Sequence, residues 1–469
     1  MRKTKIVCTI GPASESEEML KNLCLAGMNV ARLNFSHGTH EEHLARIKMI
    51  KKVREELGLP IAIMLDTKGP EYRIGTFADG KINLSEGDEF VFTTDQIVGD
   101  TSKVSVSYAG LADELSVGDT ILLNNGLMTF EVTGISGADI STRVIIGGEL
   151  SNRKSMAFPG KHIHQQYLSE QDKKDIIFGI ENGVDFIACS FVSVKQDLMD
   201  IHELLDSYDA KNIELIAKIE NQSGFDNIEE ICEACDGIMV ARGDMGVEIS
   251  IEQLPAIQKK LITKCRMLGK RVITATEMLE SMIHNPRPTR AEATDVANAV
   301  YDGTSAVMLS GETAAGSYPV ETVRTMAKIC EATEQNINYR KRFYNADVEI
   351  RSDIDAISHS TCGMAIDVGA KCIVACTLSG VTARMVSRFR SPVDIIGLTT
   401  DETTWRKLAL SWGVTPEMCE TFPSTEVLFY SAKKVAQSSL SLDKGDKIVI
   451  TGGVSGISGG TNLIKIDEI

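Results

Sequence analysis

The sequence predicts an α/β protein: a (β/α)₈ barrel with an inserted small β-barrel lid and a separate C-terminal three-layer α/β unit. Three observations point there. Short apolar runs of strand length alternate with amphipathic stretches of helical period, the pattern of a parallel sheet covered on both faces. Each run releases polar residues at its C-terminal end, the edge where barrels carry chemistry. Between residues 71 and 150 the helical period disappears and Gly-Asp and Asn-Gly turns take over, after which the alternation resumes. The boundaries expected are 1–70 and 160–345 for the barrel, 71–159 for the lid and 346–469 for the last unit.

Residues 5–10 form the first buried strand, stopped by Gly11-Pro12. Ser14 and Glu17 have the spacing of a capping box for a helix ending at Gly27. Residues 29–33 are the second strand, followed by Asn34, Ser36 and His37. Thr39 with Glu42 caps a second helix, with Leu44, Ile47, Ile50, Val53 and Leu57 on its apolar face and His40 and His43 assigned to its solvated side. The third strand, 61–65, ends in Asp66-Thr67-Lys68-Gly69-Pro70. The β insertion follows, punctuated at Gly87-Asp88, Gly118-Asp119 and Asn125-Gly126. Arg73 stands at its entry and Lys154 at its exit, where both face a substrate if the insertion acts as a moving lid.

Ser169 with Asp172 restarts the alternation with a helix to Asn182. Strand four, 184–188, leads to Cys189-Ser190-Phe191. Strand five, 213–219, ends in Lys218-Ile219-Glu220-Asn221. A helix over 226–234 connects it to strand six, 237–241, which runs into Arg242-Gly243-Asp244. Strand seven, 271–275, leads to Thr276-Glu277, and strand eight, 305–309, to Ser310-Gly311-Glu312-Thr313. Eight such strands favour closure into a barrel over an open sheet. After a polar helical stretch over 319–342, the last unit reads as helix 356–368, strand 371–376, helix 381–389, strand 393–398, a helix around Trp405 and a final strand 447–450. That strand enters the glycine-rich loop 451–460.

A length of 469 residues implies two to four domains, and 43% hydrophobic with 24% charged residues is globular. The net charge of -16 excludes nucleic acid and anionic membrane as bulk partners, so an anionic substrate needs local cations. No apolar run reaches membrane-spanning length, and the N-terminus passes straight into a strand, leaving no room for a signal peptide. The 11 cysteines sit mostly in apolar elements and read as reduced thiols of a cytoplasmic protein. Cys232 and Cys235 lack a second pair and read as packing, and His162 and His164 read as strand or loop residues rather than metal ligands. No P-loop or dinucleotide fingerprint follows any strand.

Consecutive strands deliver Lys218, Glu220 and Asp244 to one edge. Two hard oxygen ligands suit a magnesium ion that keeps several waters, and the lysine suits an anionic substrate. A plain surface ion-pair cluster is the other reading of these residues. In the last unit Thr377, Ser379, Gly380 and Thr382 join a strand to a helix start, a phosphate cradle or an ordinary capped turn.

Several stretches together resemble the pyruvate kinase family over the whole length, in its bacterial-type short form without an extra C-terminal domain. They are Arg32-Leu-Asn34-Phe-Ser36-His37-Gly38, Leu65-Asp66-Thr67-Lys68-Gly69-Pro70-Glu71, Ile219-Glu220-Asn221, Arg242-Gly243-Asp244 and Asn285-Pro-Arg-Pro-Thr-Arg-Ala-Glu292. The resemblance implies transfer of the phosphoryl group of phosphoenolpyruvate to ADP, giving pyruvate and ATP in the last step of glycolysis, in a homotetramer. It implies Lys218 as catalytic lysine, Glu220 and Asp244 as ligands of Mg²⁺ (or Mn²⁺), and Asn34, Ser36, Asp66 and Thr67 as ligands of K⁺. Arg32, Gly243, Asp244 and Thr276 would meet phosphoenolpyruvate, with Arg32 and Thr276 also in the catalytic set. Arg73, Lys154, His37 and Asn34 would meet the nucleotide, and Thr377, Ser379, Gly380 and Thr382 a phosphorylated effector.

Glu277 departs from a usual glutamine, Ala315 from a common lysine, and Leu378 from a residue that is basic in some sugar-phosphate-activated members. These departures leave kinetics and effector identity open. Two other readings remain at this point: another magnesium-dependent enolate barrel enzyme, such as an aldolase or phosphoenolpyruvate mutase, and an inactive phosphometabolite sensor.

Overall fold

Three strands, β1 (Lys5–Thr9), β2 (Val30–Asn34) and β3 (Ala62–Asp66), open the computed structural model, which describes residues 2–161, 163, 166–421, 424–453 and 460–469. Nine short strands follow: β4 (Tyr72–Arg73), β5 (Lys81–Leu84), β6 (Glu89–Thr93), β7 (Lys103–Ser105), β8 (Thr120–Leu123), β9 (Met128–Ser136), β10 (Asp139–Ile146), β11 (Gly148–Ser151) and β12 (Ser155–Ala157). The alternation then resumes with β13 (Phe186–Cys189), β14 (Glu214–Ile219), β15 (Gly237–Ala241), β16 (Arg271–Ala275) and β17 (Ala306–Leu309). These five close a parallel barrel with the first three, in the order β1-β17-β16-β15-β14-β13-β3-β2.

The barrel strands are buried on both faces, which is why they read as unbroken apolar runs. Alternate residues such as Val7, Met64, Phe186, Ile216 and Met239 fill the interior, while Ile6, Leu65, Leu215 and Val240 pack outward under the helices. Leu410, from the C-terminal unit and fully buried, joins the interior cluster.

The lid folds on its own core, with Phe90, Phe92 and Phe130 in edge-on and tilted contact at 5.2–6.2 Å. Seven strands form a sheet in the order β4-β12-β8-β9-β10-β6-β7, and β5 pairs with β11. The two edges of the larger sheet are drawn together where Gly75 N donates to Ser105 O at 2.8 Å and Ser107 N to Arg73 O at 2.9 Å, so the sheet curls into a barrel-like wrap. A Cβ at Gly75 would collide with the Ser105 hydroxyl and displace it from Ile97 O, to which it donates at 3.1 Å. Each Gly-Asp turn is held by its aspartate: Asp88 accepts from Ser85 N and Asp119 from Ser116 N.

The C-terminal unit is a five-stranded sheet, β18 (Cys372–Cys376), β19 (Asp394–Thr399), β20 (Val414–Met418), β21 (Lys447–Gly452) and β22 (Leu463–Glu468), in the order β20-β19-β18-β21-β22. It docks on the barrel end opposite the catalytic edge. There Arg384 meets Asp236 at 3.1 Å, Arg406 meets Asp185 at 2.8 Å, and Lys5 donates to Val414 O at 2.7 Å.

Several elements differ from expectation. Ser16, not Ser14, caps the first helix by accepting from Met19 N, because Ser14 is buried and accepts from Gly11 N instead. The helix over 226–234 is two, Gln222–Asp226 and Ile228–Ala234, broken at Asn227, whose amide turns back to Ser193 O. His43 is buried, 2% exposed, and stacks on Phe35 at 4.0 Å, so it leaves the solvated face, while His40 stays half-exposed and pairs with Asp175 at 2.6 Å. The strand over 447–450 is not the last: β22 pairs antiparallel with β21 as a half-exposed edge strand, preceded by β20 and the helix Thr425–Leu440, which the sequence reading did not place. The Cys232–Cys235 packing expectation holds among buried free thiols, with Cys232 Sγ 3.5 Å from Cys265 Sγ. His162, His164 and loop residues 454–459 lie outside the described residues.

Candidate active site

Asp66, the last residue of β3, is 1% exposed and takes a cation on each carboxylate oxygen. Arg32 on β2 donates from Nε to Oδ2 at 2.6 Å, and Lys218 on β14 donates from Nζ to Oδ1 at 3.0 Å. Arg32 is braced further by a bond from Nη1 to Thr9 Oγ1 at 2.9 Å, and Lys218 by one to Ser190 Oγ at 2.7 Å. Burial opposes ionisation of Asp66 and Lys218, but the pairing wins. Arg32 and Lys218 hold the Asp66 carboxyl below its usual range, and Asp66 with Glu220 holds the Lys218 ammonium above its own.

Glu220 follows β14 and is fully buried. Its Oε2 accepts the Phe191 amide at 2.5 Å. Its Oε1 lies 3.0 Å from Lys218 Nζ, yet no aligned hydrogen bond reaches that buried oxygen. Burial pushes its pKa to about 7, against the pull of Lys218 and with a further push from Asp244. An oxygen left in this condition beside a second carboxylate suits a bound cation. Asp244 is exposed at the start of the helix Arg242–Glu248. Among the described residues no group of three or more His, Cys, Asp or Glu side chains is placed to hold a metal. Two protein carboxylates, with waters and substrate oxygens completing the shell, is the arrangement magnesium favours.

Thr276 and Glu277 follow β16 in the left-handed region, with φ of 67° and 53°. For a β-branched residue this is a strained conformation, costing on the order of 1–3 kcal/mol. Arg242 holds the turn: it donates to the carbonyls of Ala275 and Thr276 at 3.2 and 2.6 Å, while its Nη1 is shared between the two carboxylate oxygens of Asp295 at 2.7 and 2.8 Å. Thr276 Oγ1 accepts Gly243 N at 2.7 Å and donates to Ala275 O at 2.6 Å. Arg242 therefore serves the turn rather than lending free charge to the edge.

Asn34 and Asp66 are partners in the β2–β3 register, so Asn34, Asp66 and Thr67 sit at adjoining strand ends. Asn34 Oδ1 accepts Ser36 N at 3.1 Å, and Thr67 Oγ1 accepts Ser190 N at 3.1 Å. Ser36 itself is exposed.

Between lid and barrel lies a cleft of about 580 Å³, lined by Arg73, Lys154, Asn221, Asp244 and Glu248 among others. Arg73 is held by Glu71 through two contacts, at 2.8 and 2.6 Å. His37 and Asn34 do not line this cleft; His37 is exposed, and its carbonyl accepts from His43 Nε2 at 2.9 Å. In the C-terminal unit Gly380, with φ of 83°, caps a helix limited to Val381–Ser387, and the Thr382 hydroxyl is 2.7 Å from that of Thr461. Thr377 is buried and Leu378 is exposed.

Sequence reasoning missed Ser190, Thr9, Asp295 and Glu312. Ser190 stood at a strand end, where its position was the available signal. Fully buried Glu312 accepts the amides of Leu279 and Ser310 and so ties the ends of β16 and β17 together. Nothing local marks Thr9 or Asp295, since each acts on an arginine far away in sequence.

A closed barrel, a lysine held between buried carboxylates at its catalytic edge, and a lid over a deep cleft define a barrel phosphotransferase. Comparison with known proteins is specific. Residues 1–323 match the family model of the pyruvate kinase barrel domain, and residues 355–467 that of the pyruvate kinase alpha/beta domain. The chain is 50% identical over 469 residues to a pyruvate kinase of Bacillus licheniformis, covering 99% of this chain and 80% of that one. It is 46% identical over 474 residues to one of Clostridium perfringens, covering 100% of both. The crystal structure of a pyruvate kinase from Cryptosporidium parvum superposes with a TM-score of 0.95 at 38% identity, covering 100% of this chain and 96% of that one. The chain belongs to the pyruvate kinase family. No helix among the described residues is long and apolar enough to cross a membrane.

Proposed function

We propose that the chain transfers the phosphoryl group of phosphoenolpyruvate to ADP, giving pyruvate and ATP, at the edge formed by Arg32, Asp66, Lys218, Glu220 and Asp244. The observation that carries this reading is Lys218 held 3.0 Å from both Asp66 and Glu220 at the barrel's strand ends. Phosphoryl transfer asks for fixed positive charge around the moving group and in-line positioning, with little covalent work by the protein. Asp66 orients Arg32 and Lys218 before substrate arrives, so their charge costs no reorganisation at the moment of transfer. Gly243 and Thr276 meet the carboxylate end of the substrate, and Thr276, at the end of its strand, is suited to position the proton-donating side through water. Arg73 and Lys154 approach the nucleotide from the lid.

Glu220 and Asp244 would hold Mg²⁺ (or Mn²⁺), which when bound supplies charge neutralisation for phosphoryl and carboxylate oxygens. Asn34, Ser36, Asp66 and Thr67 would hold K⁺ beside them. We further read the Thr377–Thr382 turn as the seat of an activating phosphorylated effector. Assembly as a homotetramer follows from the resemblance. A cytoplasmic setting fits the 11 free cysteines, ten of them buried.

A lactate dehydrogenase-coupled assay with phosphoenolpyruvate, Mg²⁺ and K⁺ tests the reading. Pyruvate release that depends on ADP is the expected result. Turnover of phosphoenolpyruvate without nucleotide points instead to an aldolase or mutase, and no turnover at all to a sensor.

A further inference from the structure

Ser190, 1% exposed, directly follows β13, and each of its polar groups is committed. Its N–H donates to Thr67 Oγ1 at 3.1 Å, and its carbonyl accepts the buried Tyr167 hydroxyl at 2.8 Å. The next residue, Phe191, has a left-handed φ of 57° and donates its amide to Glu220 Oε2 at 2.5 Å. A non-glycine residue keeps that conformation only where its surroundings fix it. The Ser190–Phe191 turn is thus a fixed bridge between the residues that follow β3 and β14.

A serine hydroxyl carries one proton and accepting lone pairs. Thr67 O lies 2.6 Å from Ser190 Oγ and Asp66 Oδ1 3.3 Å, so the proton goes to the carbonyl. The hydroxyl then meets Lys218 as an acceptor, and Lys218 Nζ donates to it at 2.7 Å. An ammonium has three N–H donors. Ser190 takes one and Asp66 Oδ1, at 3.0 Å, takes another. Glu220 Oε1 stands equally near at 3.0 Å, yet it is buried without an aligned hydrogen bond. A buried carboxylate oxygen ordinarily captures an adjacent ammonium. Here two other acceptors already hold the lysine.

We propose that Ser190 is a positioning residue: by fixing Lys218 it keeps the ammonium off Glu220 Oε1 and so reserves that oxygen for a divalent cation. This rests on the roles given above to Lys218 and Glu220. The third N–H of Lys218 stays available to an anionic substrate. Without the hydroxyl the ammonium has one acceptor fewer, and Glu220 Oε1 is the next within reach. Bonded there, it would compete with the cation for the same lone pairs.

Mn²⁺ titrations of the full chain without substrate, followed by electron paramagnetic resonance, test this. Glu220→Gln is expected to weaken the Mn²⁺ site severely, which assigns the signal. Ser190→Ala is expected to weaken it by about tenfold or more, as loss of a group supporting a metal ligand does. Lys218→Met is expected to bind Mn²⁺ at least as tightly as wild type. The double variant Ser190→Ala/Lys218→Met is expected to match Lys218→Met, because a general loosening of the turn would persist without the lysine, whereas an effect exerted through it vanishes. Should Ser190→Ala misfold, Ser190→Cys, which puts a weak acceptor in the same place, carries the comparison. In the coupled assay Ser190→Ala is expected to lower kcat by about tenfold or more while the KM for ADP changes little. Unchanged Mn²⁺ affinity in Glu220→Gln or in folded Ser190→Ala, or a double variant that binds as weakly as Ser190→Ala, overturns the proposal. The titrations need no turnover, so the proposal can fail while the kinase reading stands; near-normal turnover of Lys218→Met overturns that reading instead.

Discussion

Arg271 donates from Nη1 to Oε2 of Glu214 at 2.5 Å, joining the first residues of β16 and β14 at the barrel rim that faces the C-terminal unit. Burial alone would raise the Glu214 pKa, but Arg271, then Arg384 and Lys407, reverse that and hold it at about 2, against an ordinary 4.5. A depressed folded pKa gives stability that is fully present above pH 4.5 and is lost as pH falls through about 2. Glu214→Gln is expected to cost roughly 3 kcal/mol at pH 7 and progressively less toward pH 2. Denaturant titrations at pH 7 and pH 3 check this; an equal loss at both would reject the ion pair as its source.

The opposite sign applies in the cleft. Phe158 N, just past β12, donates to Glu248 Oε1 at 3.3 Å, and burial pushes the Glu248 pKa to about 7. The contact between the insertion and Glu248 is favoured when the carboxyl is protonated and opposed when it is ionised, so it weakens as pH rises from about 4.5 through 7. Glu248→Gln is expected to flatten the rise of the nucleotide KM between pH 6 and 8 in buffers of constant ionic strength. A slope equal to that of wild type counts against the latch.

Lys218→Met is expected to leave the fold intact, since Arg32 still holds Asp66 at 2.6 Å. Removing one preorganised charge costs about 3 kcal/mol or more in the transition state, over a hundredfold in turnover. Proton exchange at C3 of pyruvate is expected to survive in part. The coupled assay and deuterium wash-in measure the two separately; near-normal kinase turnover in a folded variant would remove Lys218 from its role.

Glu71 makes potassium dependence the expected behaviour, because a carboxylate paired with Arg73 offers no ammonium to stand in for a cation at the proposed Asn34, Ser36, Asp66 and Thr67 site. Sodium, being smaller, is expected to substitute poorly. Glu71→Lys should relax the requirement but lower maximal turnover, since it also breaks the pair with Arg73 at 2.6 Å and sets two cations together. Rates in a large organic cation buffer, with potassium added back, decide it. Full wild-type activity without potassium is the adverse outcome.

Strand order along the chain, the eightfold alternation and the residues at each strand end were legible in the sequence because a buried parallel strand has to be apolar throughout and polar where it stops. Lys218, Glu220 and Asp244 could be grouped from that alone. Their partners could not: Asp66 is 152 positions from Lys218, and Arg242 finds Asp295 53 positions away. His43 went astray because a helical face was counted by apolar residues, while here a ring stacked on Phe35 supplies the contact. The edge strand β22 was missed because half-exposed residues blur its alternation.

Leu410 sets a constraint on biosynthesis. Strand β1 leaves the ribosome first, yet the interior column that contains Val7 is completed at its base by a side chain roughly 400 residues downstream. At about 5–20 residues per second β1 waits on the order of 20–80 s for that stopper, and a barrel closed by β17 waits the last 5–20 s of it. During this interval its lower end is open to water and to other chains, so a ribosome-bound fragment ending near residue 345 is a natural client for chaperones.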